Sequence, residues 1–95
     1  MKNSLDLIAK INIIPEFLNP VLDELNKLSI LSQQEKGNIQ YFLIKEYSEK
    51  NIIFIFEKWE SKEAFETHKK TSHFIKYKLN TAHMIQSDEI FLKEI

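Results

Sequence analysis

The chain has 95 residues, of which 13 are basic and 14 acidic, and it contains one glycine and no cysteine. Without cysteine it has no disulfide, thiolate nucleophile or cysteine-bound metal, and one glycine is too few for a phosphate-binding loop or a dinucleotide fingerprint. Since lysines and glutamates are interspersed and no apolar run approaches about 20 residues, we expect one domain, residues 1–95, that binds neither nucleic acid nor membrane.

The N-terminal stretch SLDLIAKINII predicts a β-strand, because its apolar residues recur with the period of two that a half-buried strand requires. One face of this strand would carry Leu5, Leu7, Ala9, Ile11 and Ile13. Pro15 would end the strand. Asp6 and Lys10 interrupt the apolar stretch, which argues against a signal peptide and leads us to expect a cytoplasmic protein.

A helix is expected next, with Asn19 as its N-cap and Pro20 at the first helical position, where a missing N–H costs nothing. The helix would run to about Gln34 and present one apolar stripe to the sheet. This stripe consists of Leu18, Val21, Leu22, Leu25 and Leu28. The segment EKG follows, and we expect Gly37 to close the helix in the left-handed conformation.

Two segments rich in β-branched and aromatic residues, NIQYFLIKEY and NIIFIFEKW, predict an antiparallel hairpin joined through SEKN. Ser61 would cap a helix that runs to about Lys69, and TSHFIKYKLNTAHM predicts a further helical piece that begins at Thr71 or Ser72. The segment DEIFLKEI would form the last strand. The order β-α-β-β-α-β, with its second helix in two pieces, predicts an α+β, ferredoxin-like fold with an antiparallel sheet.

The third strand is largely apolar on both faces, since Ile53 and Ile55 alternate with Phe54 and Phe56. The helices of a ferredoxin-like fold cover only one face of the sheet. The other face, with Phe54 and Phe56, would remain exposed unless a partner covered it, and a second copy of the same sheet could do so by two-fold symmetry. We therefore expect a homodimer formed through the sheets.

The stretch FEKWESKEAFETHKKTSHF carries the most specific pattern in the chain: a Glu-x-Trp, a small capping residue, a Glu-Ala pair, a histidine and a Ser-His-Phe. The residues concerned are Glu57, Trp59, Ser61, Glu63, Ala64, His68, Ser72, His73 and Phe74. With EKG in place of an EPG segment, this pattern resembles the antibiotic-biosynthesis monooxygenase domain family over nearly the whole chain. The resemblance implies a dimeric α+β barrel, and kinship with quinol- and anthrone-type monooxygenases that use neither metal nor flavin.

The expected site centres on His68, which shares a helix face with Ala64 and Phe65 and should point toward the sheet. One interpretation is a buried histidine bonded to the backbone. The other, which we adopt as the expectation, is a catalytic base that projects into a cavity bounded by Trp59 and Phe74. The small side chain of Ala64 would leave room for that cavity.

Tyr41 and His73 also belong to the expected site. Tyr41 would join Trp59 and Phe74 as a wall that binds a flat aromatic substrate. His73 is either part of a helix start or a substrate contact. Glu57, a carboxylate on an apolar strand face, is expected to form a salt bridge at the rim of the dimer rather than to orient a histidine.

His68 and His73 lie five residues apart with no evident third ligand, so we expect no metal and no other cofactor. The expected function is that of a cofactor-independent monooxygenase which oxidises a small quinol or polyphenol with dioxygen. Two alternatives stay open: an isomerase or other non-oxidative enzyme on a small polar metabolite, for which Lys10 could bind an anion, and a non-catalytic dimer that binds a small molecule. Haem degradation is disfavoured, because Ala9 stands where that branch of the family carries an asparagine.

Overall fold

The computed structural model describes residues 3–45 and 50–94, which form one antiparallel sheet with helices on one of its faces. The strands are β1 (Leu5–Ile13), β2 (Asn38–Lys45), β3 (Ile52–Trp59) and β4 (Ile85–Glu94), and the helices are α1 (Leu18–Gln33), α2 (Lys62–His68) and α3 (Ser72–Thr81). The strand order is β2-β3-β1-β4. This arrangement confirms the ferredoxin-like α+β fold and the division of its second helix into two pieces.

β1 lies inside the sheet because it pairs in antiparallel fashion with both β3 and β4. Its predicted alternation is confirmed, since the five residues on its helix side are buried. They are Leu5, Leu7, Ala9, Ile11 and Ile13. Together with Val21, Leu25 and Leu28 of α1 they form the centre of the core, where each large aliphatic side chain contributes about 1.5–3 kcal/mol before the opposing loss of conformational entropy.

The start of α1 differs from the prediction. A 3-10 turn, Pro15–Phe17, leads directly into the helix, and Phe17 rather than Asn19 occupies the cap position. Pro20 falls within the first turn, whose N–H groups have no intrahelical partner, so its missing donor is tolerated there. α1 has 16 residues, and no helix in the described part of the chain is both long enough and apolar enough to cross a membrane.

Gly37 serves a different purpose from the predicted one. Gly37, the one glycine of the chain, does not have a positive φ, so it is not a left-handed cap. A Cβ at this position would lie 2.4 Å from the Cβ of Ala64, far inside van der Waals contact. The glycine lets the turn after α1 approach α2, and its carbonyl accepts a hydrogen bond from the Glu60 N–H at 2.9 Å. The small size of Ala64 is therefore needed for this contact rather than for a cavity.

The face of the sheet away from the helices is uncovered in the single chain. Phe54 and Phe56 lie on it, as predicted, and are partly buried between neighbouring strands. Their exposed apolar neighbours on the same face are Ile8, Phe42, Ile44 and Phe91. The homodimer that this face suggests stays a prediction. The predicted SEKN connection falls partly on residues 46–49, which lie outside the described ranges.

Candidate functional site

His68 is the last residue of α2, and the cap of that helix fixes where its side chain points. The Ser61 hydroxyl accepts a hydrogen bond from the Ala64 N–H at 3.1 Å, which confirms the predicted helix start. Phe65 and His68 are three residues apart on this helix, so they share one face and are both buried. The His68 side chain is only 1% exposed.

Aromatic rings enclose His68, and they are the ones that the sequence proposed. Its ring centroid lies 4.6 Å from that of Trp59, 5.0 Å from that of Phe74 and 5.9 Å from that of Tyr41. The ring of His73 is 6.1 Å away. The fold therefore brings the five expected site residues together from β2, β3, α2 and α3.

A residue that the sequence did not single out, Glu35, joins the two histidines. It lies in the turn between α1 and β2, and its Oε2 is 2.6 Å from His68 Nδ1 and 2.7 Å from His73 Nε2. Thr71 fixes the relative position of the histidines, since its hydroxyl donates to the His68 carbonyl at 2.7 Å and caps α3 by accepting from the Phe74 N–H at 3.2 Å. Because a carboxylate oxygen only accepts, each of the two ring nitrogens that face Glu35 carries a hydrogen.

Glu57 is buried on the helix side of β3, so the expected salt bridge at a dimer rim is wrong. The same face carries Trp59, whose indole N–H donates to Glu57 Oε1 at 3.0 Å. This carboxylate oxygen lies 3.9 Å from His68 Nε2. Glu57 is thus directed toward the histidine, as the less favoured interpretation had it.

Burial sets the charge states of this acid and this histidine. Desolvation raises the pKa of Glu57 to about 7 against the opposing hydrogen bond from Trp59, and the neighbouring Glu35 acts in the same direction as desolvation. Desolvation also lowers the pKa of His68, although the hydrogen bond to Glu35 opposes it. His68 is therefore neutral at neutral pH, whereas Glu57 readily gains and loses a proton there.

A small cavity of about 60 Å³ lies between the sheet and helices α2 and α3. Its wall is mostly apolar and includes Tyr41, Glu57 and Phe74. The sequence placed His68 on this wall, but the structure places it behind Glu57, together with Trp59. His73 faces a different space, a surface groove between α1 and α3. Of Glu57, His68 and His73, only Glu57 lines this cavity.

The sequence indicated no third metal ligand beside His68 and His73, but the structure places Glu35 next to them. The donor atoms of Glu35, His68 and His73 all lie within 4.8 Å of one another. A zinc ion would need each of them at about 2.0–2.2 Å, with both ring nitrogens free of hydrogen. Here the Glu35 oxygen itself lies between the two nitrogens at hydrogen-bond distance. The three residues could hold a divalent ion only after rearrangement.

Residues 6–78 match the model of the family described as antibiotic biosynthesis monooxygenase. The chain is 37% identical over 68 residues to the Bacillus subtilis (strain 168) protein named "Putative monooxygenase YcnE", with 72% of each chain covered. The structure of PA3566 from Pseudomonas aeruginosa superposes with a TM-score of 0.94 at 27% identity, over 100% of this chain and 96% of that one. A "Putative antibiotic biosynthesis monooxygenase" from Bacteroides thetaiotaomicron VPI-5482 superposes with a TM-score of 0.89 at 29% identity, over 94% and 86% of the two chains. The chain therefore belongs to the antibiotic biosynthesis monooxygenase family.

Proposed function

We propose that this protein is a cofactor-independent monooxygenase that oxidises a small quinol or polyphenol with dioxygen in the cavity beside Glu57. The observation that carries the proposal is the position of this carboxylate, buried on a mostly apolar wall with a pKa raised by burial to about 7. A base with such a pKa removes a phenolic proton efficiently at neutral pH, and an apolar cavity excludes water from the reacting ring. Membership in the family supports the reaction class.

The substrate supplies all the electrons of the proposed reaction. Glu57 takes the proton of a phenolic hydroxyl, and the phenolate passes an electron to dioxygen, which gives a semiquinone and superoxide. These two radicals form a C–O bond, and the resulting ring peroxide takes a proton from Glu57. The ring hydrogen then leaves as a proton while the O–O bond breaks and the outer oxygen leaves as hydroxide. The products are a hydroxyquinone and water.

The other expected site residues have different roles in this proposal. Tyr41 and Phe74 form the walls that contact the ring. Trp59 orients the Glu57 carboxylate through its indole N–H. His68, which the sequence proposed as the base, acts through Glu57 as a positioning residue, because it lies behind the carboxylate.

The cavity must widen to admit an aromatic ring, since its volume is about 60 Å³ and ligand pockets are usually about 300 Å³ or larger. α3 and β4 form one side of it. Between them Lys78 Nζ lies 3.3 Å from Asp88 Oδ2, and both side chains are about half exposed. An ion pair as exposed as this stabilises by about 1 kcal/mol at most. We therefore infer that the substrate reaches Glu57 when α3 and β4 separate.

The proposal includes a homodimer in which the outer faces of two sheets cover each other. All four strands contribute apolar residues to this outer face, and they are Ile8, Phe42, Ile44, Phe54, Phe56 and Phe91. A contiguous apolar face on so small a protein supports association through it. A two-fold axis would allow the face to pair with itself, with the cavities on the far sides of the two sheets.

Oxygen uptake with a panel of quinols and polyphenols tests the proposed function. The wild-type protein should consume dioxygen with at least one of them and release the hydroxyquinone. Glu57→Gln should lower kcat by about a hundredfold or more, the usual contribution of a positioned base. The matched control is Glu60→Gln, which alters an exposed carboxylate and should leave kcat unchanged. Failure of the whole panel, or full activity in Glu57→Gln, would contradict the proposal.

A further inference from the structure

Four side chains form a row that leads from the cavity to the protein surface, in the order Glu57, His68, Glu35 and His73. We propose that this row, called the Glu–His relay below, carries protons between the cavity and solvent. The proposal rests on the proposed function in one respect, namely that the substrate loses a proton in the cavity. A base that is 5% exposed in a mostly apolar cavity has little direct contact with bulk water, so it needs such a route.

The outer half of the Glu–His relay is hydrogen-bonded throughout. Glu35 Oε2 accepts from His68 Nδ1 at 2.6 Å and from His73 Nε2 at 2.7 Å, which is the short range of charge-assisted hydrogen bonds. The side chains of His73 and Glu35 are 18% and 13% exposed. Each also lines a surface groove, Glu35 beside α2 and His73 between α1 and α3. A proton on Glu35 is therefore one step from water.

The inner half contains one open link, at His68 Nε2. Since the hydrogen of the neutral ring lies on Nδ1, Nε2 has a bare lone pair, and it is buried without a hydrogen-bond partner among residues 3–45 and 50–94. Glu57 Oε1 lies 3.9 Å from it. Two buried acceptors that face each other are unfavourable unless a hydrogen lies between them. A proton on Glu57 provides that hydrogen, and an approach of about 1 Å completes the bond.

Ionisable groups face His68 from each element packed against it, and they are Glu35, Tyr41, Glu57, Lys69 and His73. Glu35 stabilises a proton on the ring, while burial and the two basic groups, His73 and Lys69, oppose a positive charge there. Tyr41 keeps its hydroxyl proton, because burial raises its pKa. The imidazole therefore lies between two carboxylates that compete for one proton, which is the arrangement that a relay requires.

Transfer through His68 conserves protons at every step. The proton of Glu57 moves to Nε2 while the proton on Nδ1 moves to Glu35, and Glu35 passes a proton to water in its groove. The ring is left as the opposite tautomer, with its hydrogen on Nε2. The peroxide formed later in the cavity takes a proton back along the same row. One reaction cycle therefore restores the starting tautomer without rotation of the ring.

Nitrogen-15 NMR of the histidine rings tests the relay without any substrate. In the wild-type protein His68 should carry its hydrogen on Nδ1, and its Nε2 signal should shift as Glu57 loses its proton at a pH of about 7. Glu57→Gln should abolish this step, and the control Glu60→Gln should retain it. A hydrogen on Nε2 in the wild type, or the same titration in Glu57→Gln, would overturn the proposal. Zinc that copurifies in stoichiometric amount and perturbs the His68 and His73 signals would also overturn it.

Kinetics with any quinol that the protein oxidises provide the second test. Glu35→Gln keeps a hydrogen-bond acceptor of the same shape that cannot take up a proton, so kcat should fall about tenfold or more with KM unchanged. The solvent deuterium isotope effect on kcat should rise in the same variant. Glu63→Gln, which changes an exposed carboxylate beside the same groove, should alter neither quantity. His73→Gln, which still donates to Glu35, should show a smaller loss in the same direction.

The outcomes separate the relay from the proposed function. An active Glu35→Gln protein with normal folding, an unchanged kcat and an unchanged isotope effect would refute the relay and leave the monooxygenase proposal standing. If no quinol is oxidised, the proposed function fails. The relay is then tested only by the NMR measurement of the His68 tautomer and titration. Should Glu35→Gln not fold, the tautomer and titration of His68 in the wild-type protein decide whether the relay stands.

Discussion

The two faces of the sheet look alike in the sequence and differ in the structure. On β3, Ile53 and Ile55 point to the helices and are buried, while Phe54 and Phe56 lie on the outer face. The covered face encloses charged or titratable groups, of which Glu57 is 5% exposed. The outer face carries a band of apolar side chains across all four strands, with Lys10 beside Phe54 and with Asp6 and Lys58 3.8 Å apart.

This difference indicates which kind of function each face of the sheet supports. A buried polar group without a full set of partners costs about 1–3 kcal/mol, so a fold that keeps one on its covered face gives up stability for it. The outer face keeps apolar residues exposed to water, which is typical of an association surface. We therefore expect substitutions on the outer face to change assembly, and substitutions on the covered face to change pH dependence and chemistry.

The largest effect is expected for a charge on the outer face. Phe56 lies there beside Phe42, with ring centroids 5.3 Å apart. Phe56→Asp should abolish the proposed dimer, because burying an unpaired charge costs several kcal/mol, about 3–5 in measured cases. Light scattering coupled to size exclusion at micromolar concentration measures the change. Ile75→Asp, at an exposed apolar position on α3, is the control and should stay dimeric. A wild-type protein that is a stable monomer under these conditions would remove the basis of the prediction.

The second effect is the pH dependence that the covered face imposes. The pKa of Glu57 is raised in the folded state from 4.5 to about 7, so the folded protein binds the extra proton between these values. The stability that this proton contributes is fully present below a pH of about 4.5 and is lost as the pH rises through about 7. The shift corresponds to about 3 kcal/mol. Between a pH of about 4.5 and about 7, the free energy of unfolding of the wild type, measured with urea, should fall by this amount relative to that of Glu57→Gln. Parallel curves for the two proteins would contradict the prediction.

Local signals in the sequence predicted most elements that build the covered face. The alternation in β1 and the caps at Ser61 and Thr71 depend on residues within a few positions of each other, so they can be read directly. The motif around Trp59 and His68 also placed both residues in one cluster. These features fixed which side chains surround the histidine.

Contacts between distant segments could not be predicted in this way. Glu35 lies 33 residues before His68 and 38 before His73, and no periodic pattern links positions so far apart. The role of Glu57 was open for another reason, since a carboxylate at the end of an apolar strand face fits either the rim of a dimer or a buried position beside a histidine. The prediction of a salt bridge for Glu57 was wrong because it rested on the general preference of charged residues for exposed positions.

A third prediction concerns the close contact that holds the turn carrying Glu35 against α2. Gly37→Ala would place a methyl group 2.4 Å from the Cβ of Ala64 if nothing moved. The backbone must shift to remove this overlap, and the shift should lower the free energy of unfolding by about 1–3 kcal/mol, as overpacking usually does. Ala64→Gly removes the methyl group that the new side chain would meet. The double variant should therefore be more stable than the sum of the two single effects predicts. Additive effects in this double-mutant cycle, measured by urea unfolding, would show that the two residues do not interact.

The smallest effect is expected at the proposed opening between α3 and β4. Lys78→Ala removes an ion pair that is about half exposed, so its effect on global stability should stay below about 1 kcal/mol. The local effect should be easier to detect, because the single tryptophan, Trp59, has no exposed surface and lies directly behind the cavity wall. Loss of about 0.5 kcal/mol at the α3–β4 contact would raise the open population about twofold, and acrylamide quenching of Trp59 should rise accordingly. Lys27→Ala removes a comparable exposed pair with Glu24, 3.5 Å long, on α1, and should leave the quenching unchanged. Equal quenching in both variants would place the route to Glu57 elsewhere than between α3 and β4.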